Sequence, residues 1–261
     1  MRPYRVRHRG REHLCIMSKM LPCMILAGGL GTRLRPVLGE GLPKAMASVD
    51  GQPFLAWMLR WLEHQRVTDV VLSLGYGCGE ITGWLARQSL GLSVTVIEED
   101  KPLGTGGAIM HALRTCGAPR MIVLNGDTIT DLDLSAFTDF FNAAGADLAI
   151  AATNVPDASR YGALEFDAGS KRLIAFEEKR PVEAPGFINA GIYAVDAARL
   201  LRFDLPERFS FEDDFLRRQV STLDIRVFPA ITEFIDIGIP SDYARAQQLV
   251  PLMCEQSAHD S

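Results

Sequence analysis

The sequence predicts an α/β fold in which a mostly parallel sheet is flanked by helices, with a smaller mixed lobe in the second half. Short apolar runs alternate with stretches that carry apolar residues at helical spacing, and the alternation continues from residue 24 to residue 152. This pattern is typical of strand–helix–strand units, whose crossovers are right-handed. Glycine-rich turns follow several of the apolar runs. Because open α/β sheets bind ligands at the carboxyl ends of their strands, we expect a ligand site there.

Periodicity predicts the elements of the first half in order. The predicted strands are 24–27, 69–74, 94–97, 121–124 and 148–152. The predicted helices are 53–65, one that ends near residue 84, one that opens at residue 104, and one marked by Phe137, Phe140 and Phe141. Trp57 and Trp61 on the first of these helices are interpreted as core or interface residues.

After Asn154 the pattern changes to shorter strands with turn residues between them. The predicted strands of this half are 161–166, 173–176, 188–193 and 225–228. The predicted helices are 211–220 and a last helix from residue 242 to about residue 253. No internal repeat or linker is visible, so residues 21–255 are interpreted as one continuous domain.

Composition narrows the classes of function. The chain has 261 residues, of which 48% are hydrophobic, and this suits the core of one large α/β domain. The net charge is −5, so we expect no nucleic-acid partner, and we expect an anionic ligand to be held by local arginine, lysine and metal. No segment is long enough to span a membrane. Five scattered cysteines without CxxC spacing indicate reduced thiols and a cytoplasmic protein.

Residues 1–20 form a basic arm that we predict to be a disordered extension. Five arginines between residues 2 and 11 precede a fairly apolar stretch from Met20 to Leu30, and the combination mimics a secretory signal. Cleavage there would destroy the glycine-rich loop that follows, so we reject this interpretation. Met17 and Met20 are alternative start positions.

The stretch from Met24 to Pro36, closed by Pro43 and Lys44, is a candidate phosphate-binding loop. Its apolar run ends in glycines, a threonine and arginines, which are Gly28, Gly29, Gly31, Thr32, Arg33 and Arg35. Glycines let bare backbone N–H groups approach an anion, and the planar fork of arginine matches phosphate oxygens. The sequence therefore predicts a phosphate site after the first buried strand.

A turn without a ligand and a dinucleotide-binding turn are the alternatives for this loop. Gly29-Leu30-Gly31 supplies the first two glycines of a dinucleotide-binding turn, and Asp50 lies at a tolerable distance for its ribose-binding acid. Leu34, however, occupies the position of the third small residue. Pro36 and Pro43 also interrupt the helix that must follow such a turn at once.

Three further motifs each allow a functional and a structural interpretation. Residues 103–108 open a helix, where glycines either accompany an anion at the helix N-terminus or only permit close packing. Asp127 ends an apolar strand and would either cap the next element or bind magnesium. Asp236 interrupts an apolar run, so its burial requires a shared cation near Asp127, a salt bridge or a backbone cap.

Two polar runs in the second half of the chain also allow both a functional and a structural interpretation. Glu177-Glu178-Lys179 follows an apolar strand and, taken alone, is typical of a solvated surface. Ser210 is predicted to cap a helix with Asp213 completing a capping box, and a substrate role for Glu212 is the alternative. None of the five histidines has a partner in the sequence that indicates a role.

The segment Leu26–Leu34, followed by Pro43-Lys44, resembles the signature loop of the sugar-1-phosphate nucleotidylyltransferases. Ala45 departs from that pattern, in which a second proline usually follows the lysine. The resemblance implies a Rossmann-like fold of the nucleotide-diphospho-sugar transferase type. It also implies that residues 21–154 mainly bind a nucleoside triphosphate, and that residues 155–255 mainly bind a sugar 1-phosphate.

The resemblance also implies roles for individual residues. Those implied to bind the nucleotide are Leu26, Ala27, Gly28, Gly29, Gly31, Thr32, Gly104, Thr105 and Gly106. Those implied to bind the sugar phosphate are Gly126, Gly162, Glu178, Asn189 and Gly191. The implied catalytic cations, which hold phosphates, are Arg33, Lys44 and Lys179. The implied cofactor is Mg²⁺, held by Asp127 and Asp236.

Within that family, the sequence most resembles the D-glycero-D-manno-heptose 1-phosphate guanylyltransferases, over nearly all of residues 23–249. Residues 102–108, 209–212 and 234–240 carry this resemblance. It implies GTP as donor, a GDP-heptose as product and a place in bacterial surface polysaccharide synthesis. Another nucleoside triphosphate or a hexose phosphate is the alternative. A non-catalytic regulatory subunit is disfavoured because every implied cation and metal ligand is present. A homo-oligomer is compatible with the sequence.

Overall fold

The computed structural model describes residues 4–6, 20–29, 42–75, 77–159, 161–178 and 183–259. The strands are β1 Tyr4–Val6, β2 Cys23–Leu26, β3 Ser48–Val49, β4 Gln52–Pro53, β5 Asp69–Leu74, β6 Ser93–Glu98, β7 Arg120–Asn125, β8 Thr128–Thr130, β9 Leu148–Val155, β10 Gly162–Phe166, β11 Leu173–Glu178, β12 Gly186–Asp196, β13 Ile225–Ile231 and β14 Phe234–Asp236. The helices are α1 Phe54–His64, α2 Cys78–Leu85, α3 Gly104–Cys116, α4 Leu134–Ala144, α5 Ala197–Leu200, α6 Arg217–Gln219 and α7 Pro240–His259. A 3-10 helix spans Lys44–Met46 and a π-helix spans Phe211–Leu216.

Four neighbouring strands at the centre of the main sheet run parallel, in the order β6, β5, β2 and β7. Each of these strands is largely buried, which is typical of a parallel sheet covered on both faces. Their carboxyl ends therefore lie at one edge, and the segments that follow them meet there. The predicted α/β fold with a mostly parallel central sheet is confirmed.

The second half of the chain continues the same sheet with antiparallel strands. The long strand β12 pairs with β7 along one edge, and with β9 along the other. Its first residues also pair with β10, which in turn pairs with β11. The predicted strand 188–193 is thus part of an eleven-residue strand that inserts between two strands of the first half. Apolar runs carry no information about direction, so the sequence could not predict this order.

The two faces of the sheet carry separate hydrophobic clusters. In β2, Cys23 and Ile25 face a cluster that includes side chains of α1, α4 and α7. Met24 faces the opposite cluster, which includes side chains of α3 and of the π-helix. Successive strand residues point to opposite faces, so the single apolar run of β2 supplies both cores. Trp57 and Trp61 are buried in the first cluster, as predicted.

Several elements differ from those that the sequence predicts. Residues 4–6 of the arm predicted to be disordered form β1, which pairs antiparallel with β6. The predicted helix 211–220 begins as the π-helix. Ser210 Oγ accepts from the backbone N–H of Asp213, as expected of a cap, but the carboxylate that accepts from the Ser210 N–H belongs to Asp214. The wider turn of a π-helix places the next residue opposite the cap.

Among the helices of the described residues, none is both long enough and apolar enough to cross a membrane.

Candidate active site

The carboxyl ends of the parallel strands border a cavity of about 540 Å³. The predicted site residues on its wall are Leu26, Ala27, Gly28, Gly29, Lys44, Gly104, Thr105, Gly126 and Asp127. These residues come from the end of β2, the 3-10 helix, the start of α3 and the turn after β7. Parallel strand order is what brings these distant segments together, as the rule for open α/β sheets predicts.

Close backbone packing at the strand ends requires glycine at two of these positions. The Gly126 N–H donates to the Leu26 carbonyl at 3.0 Å, and a Cβ on Gly126 would lie 2.4 Å from that oxygen. A Cβ on Gly28 would lie 3.2 Å from the nitrogen of Gly75 and 3.1 Å from Oε1 of Glu99. A Cβ at Gly126 would push the strand ends apart and one at Gly28 would crowd Gly75 and Glu99, so these glycines keep bare backbone beside the cavity.

The second glycine-rich turn begins α3 against the segment that contains Phe209. Gly104 has a φ of +70°, and a Cβ there would lie 2.5 Å from the Phe209 carbonyl oxygen. The Gly106 N–H donates to that carbonyl at 3.0 Å, and a Cβ on Gly106 would lie 2.1 Å from the Phe209 ring. Close packing therefore explains the glycine at position 106, which is buried. Gly104 and Thr105, by contrast, line the cavity.

The two candidate metal ligands meet beside this cavity. Strand β14 pairs with β8 so that Asp236 is opposite Thr128, and the Ile237 N–H donates to the Asp127 carbonyl at 3.0 Å. The Lys44 ammonium forms an ion pair with the Asp127 carboxylate, and lies 3.6 Å from Oδ1 of Asp236. The structure thus shows the salt-bridge interpretation of Asp236, with Lys44 as its partner, and the role of both carboxylates as metal ligands stays a prediction.

Gly238 makes room for this arrangement. A Cβ on Gly238 would lie 2.2 Å from the Lys44 nitrogen and 2.8 Å from Oδ1 of Asp236. The Gly238 N–H also donates to that carboxylate oxygen at 2.7 Å. Any larger residue would displace the lysine from between the carboxylates.

The donor set fits a magnesium ion that also binds phosphate. In the described part of the chain, no three His, Cys, Asp or Glu side chains are grouped closely enough to hold a metal by themselves. Asp127 and Asp236 supply hard carboxylate oxygens, and protein sites for Mg²⁺ typically combine one or two carboxylates with substrate phosphates and water. Two carboxylates beside a cavity lined by glycine backbone match that requirement.

Four of the five residues implied for the sugar phosphate lie on three adjacent strands, whereas Gly126 lies in the turn after β7. Gly162 of β10 is opposite Glu178 of β11, and a Cβ on Gly162 would lie 2.7 Å from the Phe176 ring. Asn189 lies on β12, one residue beyond the pair that joins β12 to β10. Gly191, with a φ of +72°, packs so closely against Asn125 that a Cβ there would lie 2.5 Å from Nδ2. This strand therefore connects the second half of the site to the end of β7.

Comparison with known proteins places this geometry in a family. The model of the family described as "Nucleotidyl transferase" matches residues 23–251. A D-glycero-alpha-D-manno-heptose 1-phosphate guanylyltransferase of Aneurinibacillus thermoaerophilus is 38% identical over 228 residues, covering 87% of this chain and 97% of that protein.

The chain belongs to the nucleotidyl transferase family.

Other relatives agree with this assignment. The protein of the same name from Campylobacter jejuni is 37% identical over 223 residues, covering 85% of this chain and 97% of that protein. A crystal structure of HddC from Yersinia pseudotuberculosis complexed with GMP-PN has a TM-score of 0.78 and 38% identity, covering 88% of this chain and 99% of that chain. A putative glucose-1-phosphate thymidylyltransferase from Bacillus anthracis, 23% identical with a TM-score of 0.76, shares the fold. The resemblance stated from the sequence is confirmed.

Some residues of the family motifs lie outside the described residues. Gly31, Thr32 and Arg33 fall within residues 30–41, and Lys179 falls within residues 179–182. Their predicted roles as nucleotide-binding and catalytic residues stay predictions. For Glu178, the structure describes the backbone, which pairs with Gly162 of β10.

The sequence analysis missed several residues on the cavity wall, and Glu99 and Arg208 are two charged ones among them. Glu99 follows β6, and its carboxylate accepts from the Leu103 N–H at 3.0 Å and from the Ser73 hydroxyl at 3.2 Å. The run of acids after the third predicted strand was the available signal, because it lies at the carboxyl edge of the sheet, but it did not show which acid faces the cavity. Arg208 reaches the same cavity from the segment before the π-helix, and no motif marked it.

We expect Gly126→Ala to lower the free energy of unfolding by about 1–3 kcal/mol, the usual cost of overpacking. The added Cβ would meet the Leu26 carbonyl, which is held in the sheet. Gly79→Ala in α2 is the matched control, since a Cβ there meets open space, and it should be neutral or stabilising. Urea denaturation of both variants measures the difference. Equal stability of the two variants would contradict the close packing described here.

Proposed function

We propose that this protein transfers a guanylyl group from GTP to a sugar 1-phosphate, with a heptose 1-phosphate as acceptor, and releases pyrophosphate. The observation that carries the proposal is the meeting of Lys44, Asp127 and Asp236 beside a glycine-lined cavity at the carboxyl edge of the sheet. The named activity of the relatives from A. thermoaerophilus and C. jejuni supports the choice of substrates.

The chemistry of this reaction needs charge neutralisation and little else. Both substrates are anions, so their repulsion is the main obstacle to bringing them together. An oxygen of the sugar phosphate attacks the α-phosphorus, the bond to the β-phosphate oxygen breaks, and pyrophosphate leaves with that electron pair. A phosphate monoester is largely ionised near neutral pH, so no protein base has to remove a proton. The protein then contributes orientation and fixed positive charge.

Lys44 and the two carboxylates divide this task. Asp127 and Asp236 would hold Mg²⁺, which when bound neutralises charge on the phosphates and helps to align them. Lys44 lies between the carboxylates, and its flexible stem would let the ammonium reach the triphosphate. Arg33 and Lys179, as the sequence predicts, would add cations for the triphosphate and for the acceptor phosphate.

Glu99 supports guanine as the base. The Watson–Crick edge of guanine presents two adjacent N–H donors, and a carboxylate can accept from both. Adenine, cytosine and uracil do not present such a pair. The Glu99 carboxylate lines the cavity and is held by Leu103 and Ser73, so its orientation is set before a ligand binds. A carboxylate accepts up to four hydrogen bonds, which leaves capacity for the base.

The experiment that tests the function is a substrate panel. Purified protein is incubated with each of GTP, ATP, CTP, UTP and dTTP, together with heptose, mannose or glucose 1-phosphate, and pyrophosphate release is measured. The proposal predicts the highest kcat/KM for GTP with the heptose phosphate. Turnover only with another base or a hexose phosphate would contradict the choice of substrates. No turnover with any pair, while the protein binds nucleotide, would favour a non-catalytic role.

Asp127→Asn should lower kcat by about two to three orders of magnitude, the scale for losing one charge stabiliser. Asparagine keeps the shape of the side chain but removes the charge that binds magnesium. Asp139→Asn, an exposed position in α4, is the matched control and should retain normal turnover. Steady-state kinetics at saturating magnesium compare the two. Near-normal turnover of Asp127→Asn would remove this residue from the site.

Lys44→Met should increase the affinity of the nucleotide-free protein for Mn²⁺ by about tenfold, which corresponds to about 1.4 kcal/mol of relieved competition. The ammonium and a metal ion compete for the same two carboxylates. The same variant should lose most of its turnover, because the triphosphate loses a cation. Titration of free Mn²⁺ followed by electron paramagnetic resonance measures the affinity. An unchanged affinity would show that the metal binds elsewhere.

Glu99→Gln should reduce the preference for GTP over ATP by at least about tenfold, because the glutamine N–H group opposes a guanine donor. The comparison of kcat/KM for the two nucleotides gives this preference. Glu98→Gln, at an exposed neighbouring position, is the control and should keep the preference. A preference that survives Glu99→Gln would assign base selection to other residues.

A further inference from the structure

Glu212 lies between the two halves of the site, and both of its carboxylate oxygens accept hydrogen bonds. Oε2 accepts from the Thr105 hydroxyl at 3.0 Å, and Oε1 accepts from the Tyr193 hydroxyl at 2.8 Å. Thr105 belongs to the glycine-rich turn that lines the cavity, whereas Tyr193 belongs to β12. The hydroxyl oxygen of Thr105 also accepts from the Phe211 N–H at 2.8 Å, which holds the π-helix against the turn.

The Tyr193 hydroxyl links Glu212 to Asn189 by hydrogen bonds. The Tyr193 side chain is fully buried, and its hydroxyl accepts from Nδ2 of Asn189 at 2.7 Å. Burial, together with the nearby charge of Glu212, raises the pKa of the Tyr193 hydroxyl well above its usual value. The hydroxyl therefore stays protonated and donates its single proton to Glu212.

The orientation of the Asn189 amide is set at both ends. Its Oδ1 accepts from the Gly191 N–H at 3.0 Å, while one hydrogen of Nδ2 is donated to Tyr193. Strand β12 is bulged here. Asn189 pairs with Ala152 of β9 and Tyr193 pairs with Ile150, so an advance of four residues along β12 matches an advance of only two residues along β9. Asn189 is partly exposed, and among the described residues only Tyr193 accepts from its amide, which leaves one amide hydrogen for a ligand.

We propose that Glu212 is a positioning residue that orients Asn189, through Tyr193, and fixes it relative to Thr105. The role rests on the proposed function, in which Asn189 contacts the sugar phosphate and Thr105 lies beside the nucleotide. The Glu212 carboxylate accepts from both hydroxyls at once, one on each oxygen. The π-helix supports this role because it sets the carboxylate where it reaches both hydroxyls, and such helices often occur at functional sites.

The chain offers variants that separate positioning from general stability. Tyr193→Phe removes only the hydroxyl and keeps the edge-to-face packing on the Phe211 ring. Thr105→Val removes the other hydroxyl at nearly constant shape, and Thr115→Val, at an exposed position of the same helix α3, is the matched control. Glu212→Gln keeps the size of the side chain but replaces one acceptor with a donor. Thermal unfolding of each variant shows whether it is folded.

Kinetics test the proposal in the folded variants. Tyr193→Phe and Glu212→Gln should each raise the KM for the sugar phosphate by about fivefold, the size expected for one lost hydrogen bond, with the KM for GTP changed less than about twofold. Thr105→Val should also raise the KM for the sugar phosphate, although it lies on the nucleotide side, and the control Thr115→Val should not. The double variant of Tyr193→Phe and Thr105→Val should be non-additive. Unchanged KM values for the sugar phosphate, or additive effects, would overturn the proposal.

A measurement that does not depend on turnover separates this proposal from the proposed function. In ¹⁵N-labelled protein, the side-chain amide signals of Asn189, assigned with Asn189→Asp, should shift in Tyr193→Phe and in Glu212→Gln. Unchanged signals would overturn the positioning role even if the enzyme is active. Shifted signals in a protein that shows no nucleotidyl transfer would support the positioning role and contradict the function instead.

Discussion

The attraction between one lysine and two carboxylates at the end of a parallel sheet is the interaction on which the rest of the site depends. Lys44, Asp127 and Asp236 come from three separate segments, and the sheet brings them within contact of each other. A charge pair of this kind, partly removed from water, would be costly to leave incomplete. The three groups carry one positive and two negative charges, so the site keeps a net negative charge that favours a further cation.

Close backbone packing leaves room for these three charged groups beside the cavity. Gly126 leaves the space that the Leu26 carbonyl occupies at the end of β2, and Gly238 leaves the space in which Lys44 approaches Asp236. On the other side of the site, Gly191 allows β12 to pass beside Asn125. At each of these glycines, the missing side chain leaves room for a neighbouring group, which is the Leu26 carbonyl, the Lys44 ammonium or the Asn125 side chain. The site is thus determined as much by close contacts around it as by the groups that would touch phosphate.

The sequence predicted the fold class and the residues at the strand ends well, because both follow from local patterns. A strand followed by glycines, or by a single acid, marks the same edge of a parallel sheet wherever it occurs. Three features of the structure could not be predicted from local sequence patterns. The direction and position of β12 depend on tertiary pairing. The connection from Thr105 to Asn189 depends on Glu212, which in sequence belongs to an ordinary helix cap. Glu99 had a signal in its acidic neighbours, but only the cavity shows that it faces the ligand.

The central claim is that the two carboxylates and the glycine-lined cavity form one site for a metal and a nucleotide. The most direct test is a crystal structure with Mn²⁺ and a non-hydrolysable GTP analogue, with the metal located by its anomalous scattering. Our account predicts a manganese ion bound by Asp127 and Asp236, the phosphates beside Gly28 and Lys44, and guanine at Glu99. A metal peak away from these carboxylates, or a nucleotide bound outside this cavity, would contradict it.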